Sequence, residues 1–291
     1  MMFKALFSLI LTLFGYSSQA NEAEKVYFVT AQKMEAASTQ DEMTAILNKN
    51  LPGFYEKLKK DATENRPLLN QWGLSRNIDE SHLKDGTLTV PANVLRYLNS
   101  ILKVNFDEKY IHGHAGVTHT YGYLFSNLQT PYGFKRERYV GGEIESGLGL
   151  SEGLLSGTPP HGTLLSNLTH LIAPIAFRDP KSKYKARRLV EVVENDHFSY
   201  EARTDIVPFT HRNTRGKNTA LLIYSIDFHA HGQKSQPRLI TAFPVQDSFI
   251  QALLKTSDLG DQKVITLKYN AALPENIPPE QMIGKRTITN E

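Results

Sequence analysis

The chain has 291 residues and no cysteine, and its 33 lysines and arginines nearly balance its 30 acidic residues. Without cysteine there can be no disulfide, no thiolate metal ligand, no cysteine nucleophile and no lipid-modified N-terminal cysteine. The formal charge of +3, without a long basic run, disfavours nucleic acid as a partner.

The first twenty residues have the three parts of a secretory signal peptide. Lys4 precedes an apolar run from Ala5 to about Tyr16, and small residues follow up to Ala20. This run is shorter than the roughly 20 apolar residues that span a bilayer, so cleavage after Ala20 is favoured over a retained membrane anchor. We therefore expect an exported protein, periplasmic or secreted, with no transmembrane segment after removal of residues 1–20.

Residues 21–105 are predicted to form a helical N-terminal region. Thr39 is placed as a helix N-cap with Glu42 three residues later, and apolar residues recur after it at helical spacing. A second helix, in "PGFYEKLKKDATENRPLL", is expected to break at Pro67. A third is expected to begin at Pro91 in "VPANVLRYLNSILKV", with its apolar residues on one face.

Residues 106–271 are predicted to form a β-rich domain, and residues 272–291 an extended C-terminal tail. Short segments rich in aromatic and β-branched residues alternate there with turns rich in glycine, proline and asparagine, and "QDSFIQALLKT" is the only helix we expect among them. The segments predicted as strands are "GVTHTYGYLFS", "FKRERYV", "TLLSNLTHLIAPIAF", "RRLVEVVE", "HFSYEARTDIVPF", "TALLIYSIDFHAH", "RLITAFPV" and "KVITLKYN". The predicted fold class is α+β: an N-terminal helical segment packed on a larger, mostly antiparallel β-sheet or barrel-like domain.

A first histidine cluster lies in "KYIHGHAGVTHTYGYLF". If this stretch is a strand, His112 and His114 share a face, whereas His119 has the opposite parity and joins them only through a bend at Gly116. Imidazole nitrogens bind zinc, copper and iron. We therefore interpret His112 and His114 as binding residues, either for a divalent transition metal such as zinc or for substrate.

A second cluster ends the segment "LLIYSIDFHAH", in which polar and apolar residues alternate. The face opposite the apolar one carries Ser225, Asp227, His229 and His231. We interpret the last three as catalytic acid–base groups, with Asp227 orienting a histidine. In the metal-dependent form of this hypothesis the ligands are His112, His114, His229 and His231. The alternative interpretation of both clusters is the ordinary polar face of a sheet.

Two further positions enter the hypothesis. Glu143 and Glu145 share a face if "GGEIES" is extended, and paired carboxylates serve as acid and base in glycoside cleavage, so Glu143 is a catalytic candidate. His161 lies in the turn "TPPHG" and is a candidate binding residue. The stretch 149–153, "GLSEG", matches a nucleophile elbow, but the strand and helix that the elbow needs are not expected around it.

The sequence favours an exported hydrolase with a histidine-based site on the β-rich domain, with or without a metal. One alternative is a non-catalytic secreted or periplasmic binding or structural protein. A third hypothesis comes from "PRLITAFPV", which resembles the closing strand of the barnase-like and EndoU-like ribonuclease toxins. That resemblance implies RNA cleavage by histidines and a lysine without metal, and the positions of those residues in this chain stay unassigned. Substrate and bond type are open.

Overall fold

A computed structural model describes residues 24–73, 90–103, 116–126, 129–130, 133–134, 137–194, 198–230, 237–255, 263–264 and 283–290. The predicted signal peptide lies outside these ranges, as do His112, His114 and His231. The fold is α+β, as predicted, with helices in the N-terminal part of the chain and an antiparallel sheet in the C-terminal part.

The helical layer contains α1 to α9. Their bounds are 24–35 (α1), Gln40–Asn50 (α2), Phe54–Thr63 (α3), Arg66–Leu69 (α4), Ala92–Leu102 (α5), Val117–Gly122 (α6, followed by a 3-10 turn at Tyr123–Phe125), Glu137–Val140 (α7), Glu143–Leu148 (α8) and Leu164–Ala176 (α9). Within the described ranges, no helix combines the length and the apolar character needed to cross a membrane.

The predicted helix starts are confirmed. The Thr39 hydroxyl accepts a hydrogen bond from the Glu42 N–H at 3.2 Å, and the Glu42 carboxylate accepts one from the Thr39 N–H at 3.3 Å. This reciprocal pair satisfies two N–H groups that a helix start otherwise leaves free. Pro91 is the N-cap residue of α5. The break expected at Pro67 is wrong: α3 already ends at Thr63, and Pro67 lies in the first turn of the next helix, α4, where its missing N–H costs no helical bond.

The strands predicted between residues 116 and 177 are wrong, because most of the described residues in this part of the chain are helical or in turns. "GVTHTYGYLFS" contains α6, "FKRERYV" is divided between a two-residue strand and α7, and "TLLSNLTHLIAPIAF" is α9. In α9 the buried residues recur at helical spacing, and Thr163 and Ser166 form a capping box at its start. The change from helices to the main sheet therefore comes after residue 176 and not near residue 106. His119 does not lie on a strand face, because its backbone belongs to α6.

The helices of this layer are joined by a buried carboxyl group. Asp61 of α3 accepts hydrogen bonds from the Thr163 hydroxyl at 2.6 Å, from the Asn65 amide at 2.7 Å and from the Tyr121 hydroxyl of α6. The Asp61 side chain has no solvent exposure, and burial raises its pKa. These bonds connect α3 and α6 with the start of α9.

The main sheet is antiparallel and open among the described residues, so the barrel-like alternative is wrong. Its strands are β3 (Arg187–Glu194), β4 (Phe198–Pro208), β5 (Ala220–Ala230), β6 (Arg238–Val245), β7 (Lys263–Val264) and β8 (Ile283–Asn290), in the order β6-β5-β4-β3-β8-β7. A small hairpin, β1 (Gln129–Thr130) and β2 (Gly133–Phe134), is separate. Strands β3 to β6 match four predicted segments. Part of the predicted C-terminal tail is β8, which pairs with β3.

Both faces of the sheet are covered. One face, with Leu221, Ile223 and Leu239, belongs to the hydrophobic core of the helical layer. The other face, with Leu222 and Tyr224, packs against α10 (Asp247–Lys255), the helix predicted from "QDSFIQALLKT". Since side chains alternate along β5, Ser225 and Asp227 lie on the face that the helical layer covers.

A buried ion pair connects this face of the sheet to the helical layer. Arg188 of β3 donates to both carboxylate oxygens of Asp205 on β4, through Nε at 2.6 Å and Nη2 at 2.9 Å. The same Nη2 donates to the carbonyls of Ile175 and Ala176 at 3.0 and 3.1 Å, at the end of α9. Arg188 therefore caps the C-terminal carbonyls of α9 and holds this helix against β3 and β4.

We expect Arg188→Met to lower the free energy of unfolding by about 3–5 kcal/mol, because it leaves the Asp205 carboxylate buried without its cation. Urea unfolding measures this effect. The control is Lys59→Met, which breaks the exposed pair of Lys59 with Glu56 and should cost less than about 1 kcal/mol. The double variant Arg188→Met with Asp205→Leu should recover part of the loss. If Arg188→Met and Lys59→Met lowered the free energy of unfolding by the same amount, the role of Arg188 would be contradicted.

Candidate functional site

Four polar side chains meet where β4 and β5 pair. The register places Glu201 opposite Asp227 and Arg203 opposite Ser225. Directly opposed residues of antiparallel strands share a face and have Cβ atoms about 4.5–5.5 Å apart. We call these four residues the Arg203 cluster.

The arginine holds both carboxylates of the cluster. Arg203 Nε donates to Glu201 Oε1 at 2.5 Å, and Arg203 Nη2 lies 3.5 Å from Asp227 Oδ2. The exposed fractions of the side chains are 16% for Arg203, 32% for Glu201 and 13% for Asp227. The cluster is thus partly buried, where charges interact more strongly than in water, and its formal charge is negative.

Ser225 adds a hydroxyl group to the cluster. The residue is 1% exposed, and within the described part of the chain its Oγ has no hydrogen-bond partner. A buried hydroxyl without a partner costs about 1–3 kcal/mol. The cluster therefore contains a polar group that the described protein atoms leave unsatisfied.

Exposure rises along β4 from the buried ion pair to the cluster. Asp205 is 1% exposed, and the side chains of Arg203 and Glu201, two and four residues before it, are 16% and 32% exposed. All three lie on the face that packs against the helices, because alternate residues of a strand share a face. The cluster therefore lies at the part of this face that the helices cover only partly.

Backbone bonds bring two other chain segments to the neighbouring strand β6. Leu239, which is opposite Ser225, donates to the Gln71 carbonyl at 2.8 Å and accepts from the Gly73 N–H at 2.9 Å. Gly116 packs so closely on Gly73 that a Cβ at position 116 would come within 2.4 Å of the Gly73 oxygen. Gly116 is the described residue nearest in sequence to His114. This end of the first histidine segment is therefore held beside the outer edge of β6, and β5 lies between β6 and β4.

No protein-family model matches this chain, and no curated protein or solved structure matches it either.

The predicted site residues fall in different parts of the molecule. Asp227 belongs to the Arg203 cluster. His229 is opposite Ser199 in the β5 register, and its side chain lies outside the description. His161 is exposed before α9, and its carbonyl accepts a hydrogen bond from the Asn167 amide at 2.9 Å. In the described part of the chain, no group of three or more histidine, aspartate or glutamate residues is arranged to hold a metal ion.

Glu143 lies far from the Arg203 cluster. Its carboxylate accepts hydrogen bonds from the side-chain amides of Asn213, at 3.3 Å, and of Asn218. Asn218 comes just before β5 begins at Ala220, and Asp227 is about 23 Å further along that strand at about 3.3 Å per residue. Glu143 and Asp227 are therefore too far apart to act on one bond. Glu143 instead anchors the loop before β5 to α8.

The expectation that Glu143 and Glu145 share a strand face is wrong, since both lie in α8. Glu145 is 2% exposed, and its Oε1 accepts a hydrogen bond from the Leu155 N–H at 2.9 Å. Its Oε2 has no hydrogen-bond partner among the described residues. Burial raises the pKa of this carboxyl group above its ordinary value of 4.5, because the charged form loses its hydration.

Arg203 and Glu201 were missed in the sequence, although a signal for them is present. In "HFSYEARTDIVPF" the alternate residues Ser199, Glu201, Arg203 and Asp205 are all polar. This is the same pattern that singled out Asp227 in the next strand. One histidine of the second cluster belongs to β5, whereas the polar face of β4 carries the arginine that binds both carboxylates of the Arg203 cluster.

The raised pKa of Glu145 predicts a pH-dependent stability. The folded protein binds this proton more tightly than the unfolded chain, so the stabilisation is fully present below pH 4.5 and is lost as pH rises through the raised pKa. Glu145→Gln keeps an oxygen for the Leu155 N–H and does not titrate. We expect it to be more stable than the wild type at pH 8 and to lose less stability between pH 5 and pH 8.

Urea unfolding at the two pH values tests this prediction. The control is Glu56→Gln, which changes a carboxyl group that is 68% exposed and should leave the pH dependence as in the wild type. Some dependence should remain in all the proteins, because the pKa of Asp61 is raised as well. If Glu145→Gln lost as much stability between pH 5 and pH 8 as the wild type, the raised pKa of Glu145 would be contradicted.

Proposed function

We propose that the protein is an exported hydrolase with an acid–base site at the Arg203 cluster. The observation that carries the proposal is a single arginine that binds two carboxylates on paired strands, at a partly exposed position. Hydrolysis needs a base to activate water and a positive group to stabilise charge on the reacting oxygen. The cluster supplies both kinds of group within one cross-strand contact.

Each residue has a definite role in this proposal. Asp227 accepts the proton of the attacking water. Arg203 uses Nε and Nη2 for the two carboxylates, so Nη1 is the donor toward negative charge that develops on the substrate. Glu201, the most exposed of the three, exchanges the proton with the leaving group or with solvent. Ser225 supplies a hydroxyl that positions the substrate or the water.

The histidines enter the proposal through the sequence pattern alone. His229 is two residues after Asp227 in β5 and is the proposed proton carrier next to the carboxylate. In the metal-dependent version, His112, His114, His229 and His231 bind a zinc-like ion that activates the water. Activity that a chelator abolishes and zinc restores would select that version, whereas activity insensitive to chelator would select the metal-free one.

Mutual ion pairing also favours a second candidate. Because Arg203 pairs with both carboxylates of its own cluster, the cluster fits a non-catalytic binding or structural protein in which these ion pairs stabilise the sheet. In that case no bond is broken, and substitutions in the cluster change stability alone. Cleavage of RNA without metal would instead point to the ribonuclease-like hypothesis.

We expect Asp227→Asn and Arg203→Met to lower hydrolytic activity about 100-fold or more, because each removes a group that acts in the transition state. Initial rates on a panel of esters, phosphoesters, glycosides and RNA, with and without chelator, measure this effect. The control is Arg187→Met, which removes an exposed arginine from β3 and should keep the activity. Wild-type activity in both cluster variants would exclude the site, and an inactive wild-type protein would favour the binding role.

We also propose that the first twenty residues direct export, as the signal pattern predicts. The exported protein should begin at Asn21, with a mass that lacks residues 1–20. Cell fractionation and intact-mass measurement test this expectation. A variant without residues 2–20 should stay in the cytoplasm. A full-length protein in the membrane fraction would contradict cleavage and favour the retained anchor.

A further inference from the structure

A groove of about 370 Å³ follows the outer side of α9, separate from the Arg203 cluster. Its apolar lining comes from Leu171 and Pro174 of α9 and from Leu150 and Leu154 of the loop after α8. Its polar lining includes His170, Lys181, Lys183 and Asp179. The groove thus combines an apolar floor with a charged rim, the usual composition of a small-molecule site.

Hydrogen bonds hold the two walls of the groove in place. On one side, the Asn167 amide donates to the Leu154 carbonyl at 2.8 Å. On the other side, the Asp179 N–H donates to the Pro174 carbonyl at 2.8 Å, and the Ser182 N–H donates to the Asp179 carbonyl at 2.9 Å. Both walls are therefore fixed to α9 or to its C-terminal turn. A ligand would meet a formed site and would not have to order these loops.

The rim of the groove favours negative charge. Lys181 and Lys183 are both exposed. The one acidic residue of the lining is Asp179, whose carboxylate accepts a hydrogen bond from the backbone N–H of Lys181 at 2.9 Å. The Lys183 ammonium lies 5.0 Å from the centre of the Tyr184 ring, and both residues line the groove. The exposed imidazole of His170 adds a further hydrogen-bonding group. The two lysines give the lining a net positive charge.

We infer that this groove binds a small amphipathic carboxylate. The hydrocarbon part lies on the leucine and proline floor, and the carboxylate lies between Lys181, Lys183 and His170. One non-hydrogen atom with its hydrogens takes about 30 Å³, the volume of a water molecule in the liquid. The groove therefore has room for about a dozen non-hydrogen atoms. A medium-chain carboxylate such as decanoate has about this size. The complementary charge excludes a cationic head group of the same length.

Titration calorimetry with decanoate and with decyltrimethylammonium tests this inference. Decanoate should bind at least about tenfold more tightly than the cation, and added salt should weaken its binding. The double variant Lys181→Gln with Lys183→Gln should raise the Kd for decanoate about fivefold or more. The matched control, Lys59→Gln with Lys60→Gln, makes the same change in net charge on α3 and should leave the Kd within about twofold.

The apolar floor has its own variant. Leu171→Gln should weaken decanoate binding while the two lysines remain, and thermal unfolding shows whether this half-buried substitution is tolerated. If it is not, hydrogen exchange of the wild-type protein decides the point: decanoate should protect amides in residues 150–154 and 179–184. Equal binding of the two head groups, a Kd unchanged by the lysine substitutions, or protection elsewhere would overturn the inference.

Discussion

The Arg188–Asp205 pair determines how the helices and the sheet fit together. Its guanidinium bonds to a carboxylate on the neighbouring strand and to the last carbonyls of α9, so three elements meet at one side chain. Because both partners are buried, neither can leave the other without stranding a charge in the protein interior. The direction of α9 across β3 and β4 follows from this constraint. The groove on the outer side of α9 and the cluster beyond the ion pair take their positions from it.

Two arginines on this face of the sheet form ion pairs in different surroundings. Arg188 is enclosed, and its contacts are fixed acceptors of the fold. Arg203 is partly open to solvent, and the carboxylates that it binds belong to side chains with access to water. An ion pair in such a position can exchange protons and accept a ligand, which an enclosed pair cannot do without unfolding. This difference in exposure is why we propose a role in the acid–base site for Arg203 and a structural role for Arg188.

The sequence predicted the local structure well where the residues of a single helix or strand are enough to identify it. Thr39 with Glu42, Pro91, and the two-residue alternation of β3 to β6 are examples. The strand predicted at α9 is wrong, because the apolar run of α9, with threonine and isoleucine, has the composition of a strand, and composition does not distinguish a buried helix from a buried strand. The contact of Arg203 with Asp227 could not be predicted from the sequence, since the register between two strands determines that contact. The separation of Glu143 from Asp227 depends in the same way on the length of β5.

The pairing of β8 with β3 affects how the protein reaches its folded state. Strands β3 to β6 are connected in sequence and can form their ladders from contacts close along the chain, whereas β8 joins β3 from about a hundred residues away. Contacts between distant segments form late, because closing a long loop costs entropy before the contact compensates it. Until β8 arrives, the outer edge of β3 presents unpaired backbone groups to other chains. The period between synthesis of β3 and docking of β8 is therefore when the protein is most exposed to aggregation.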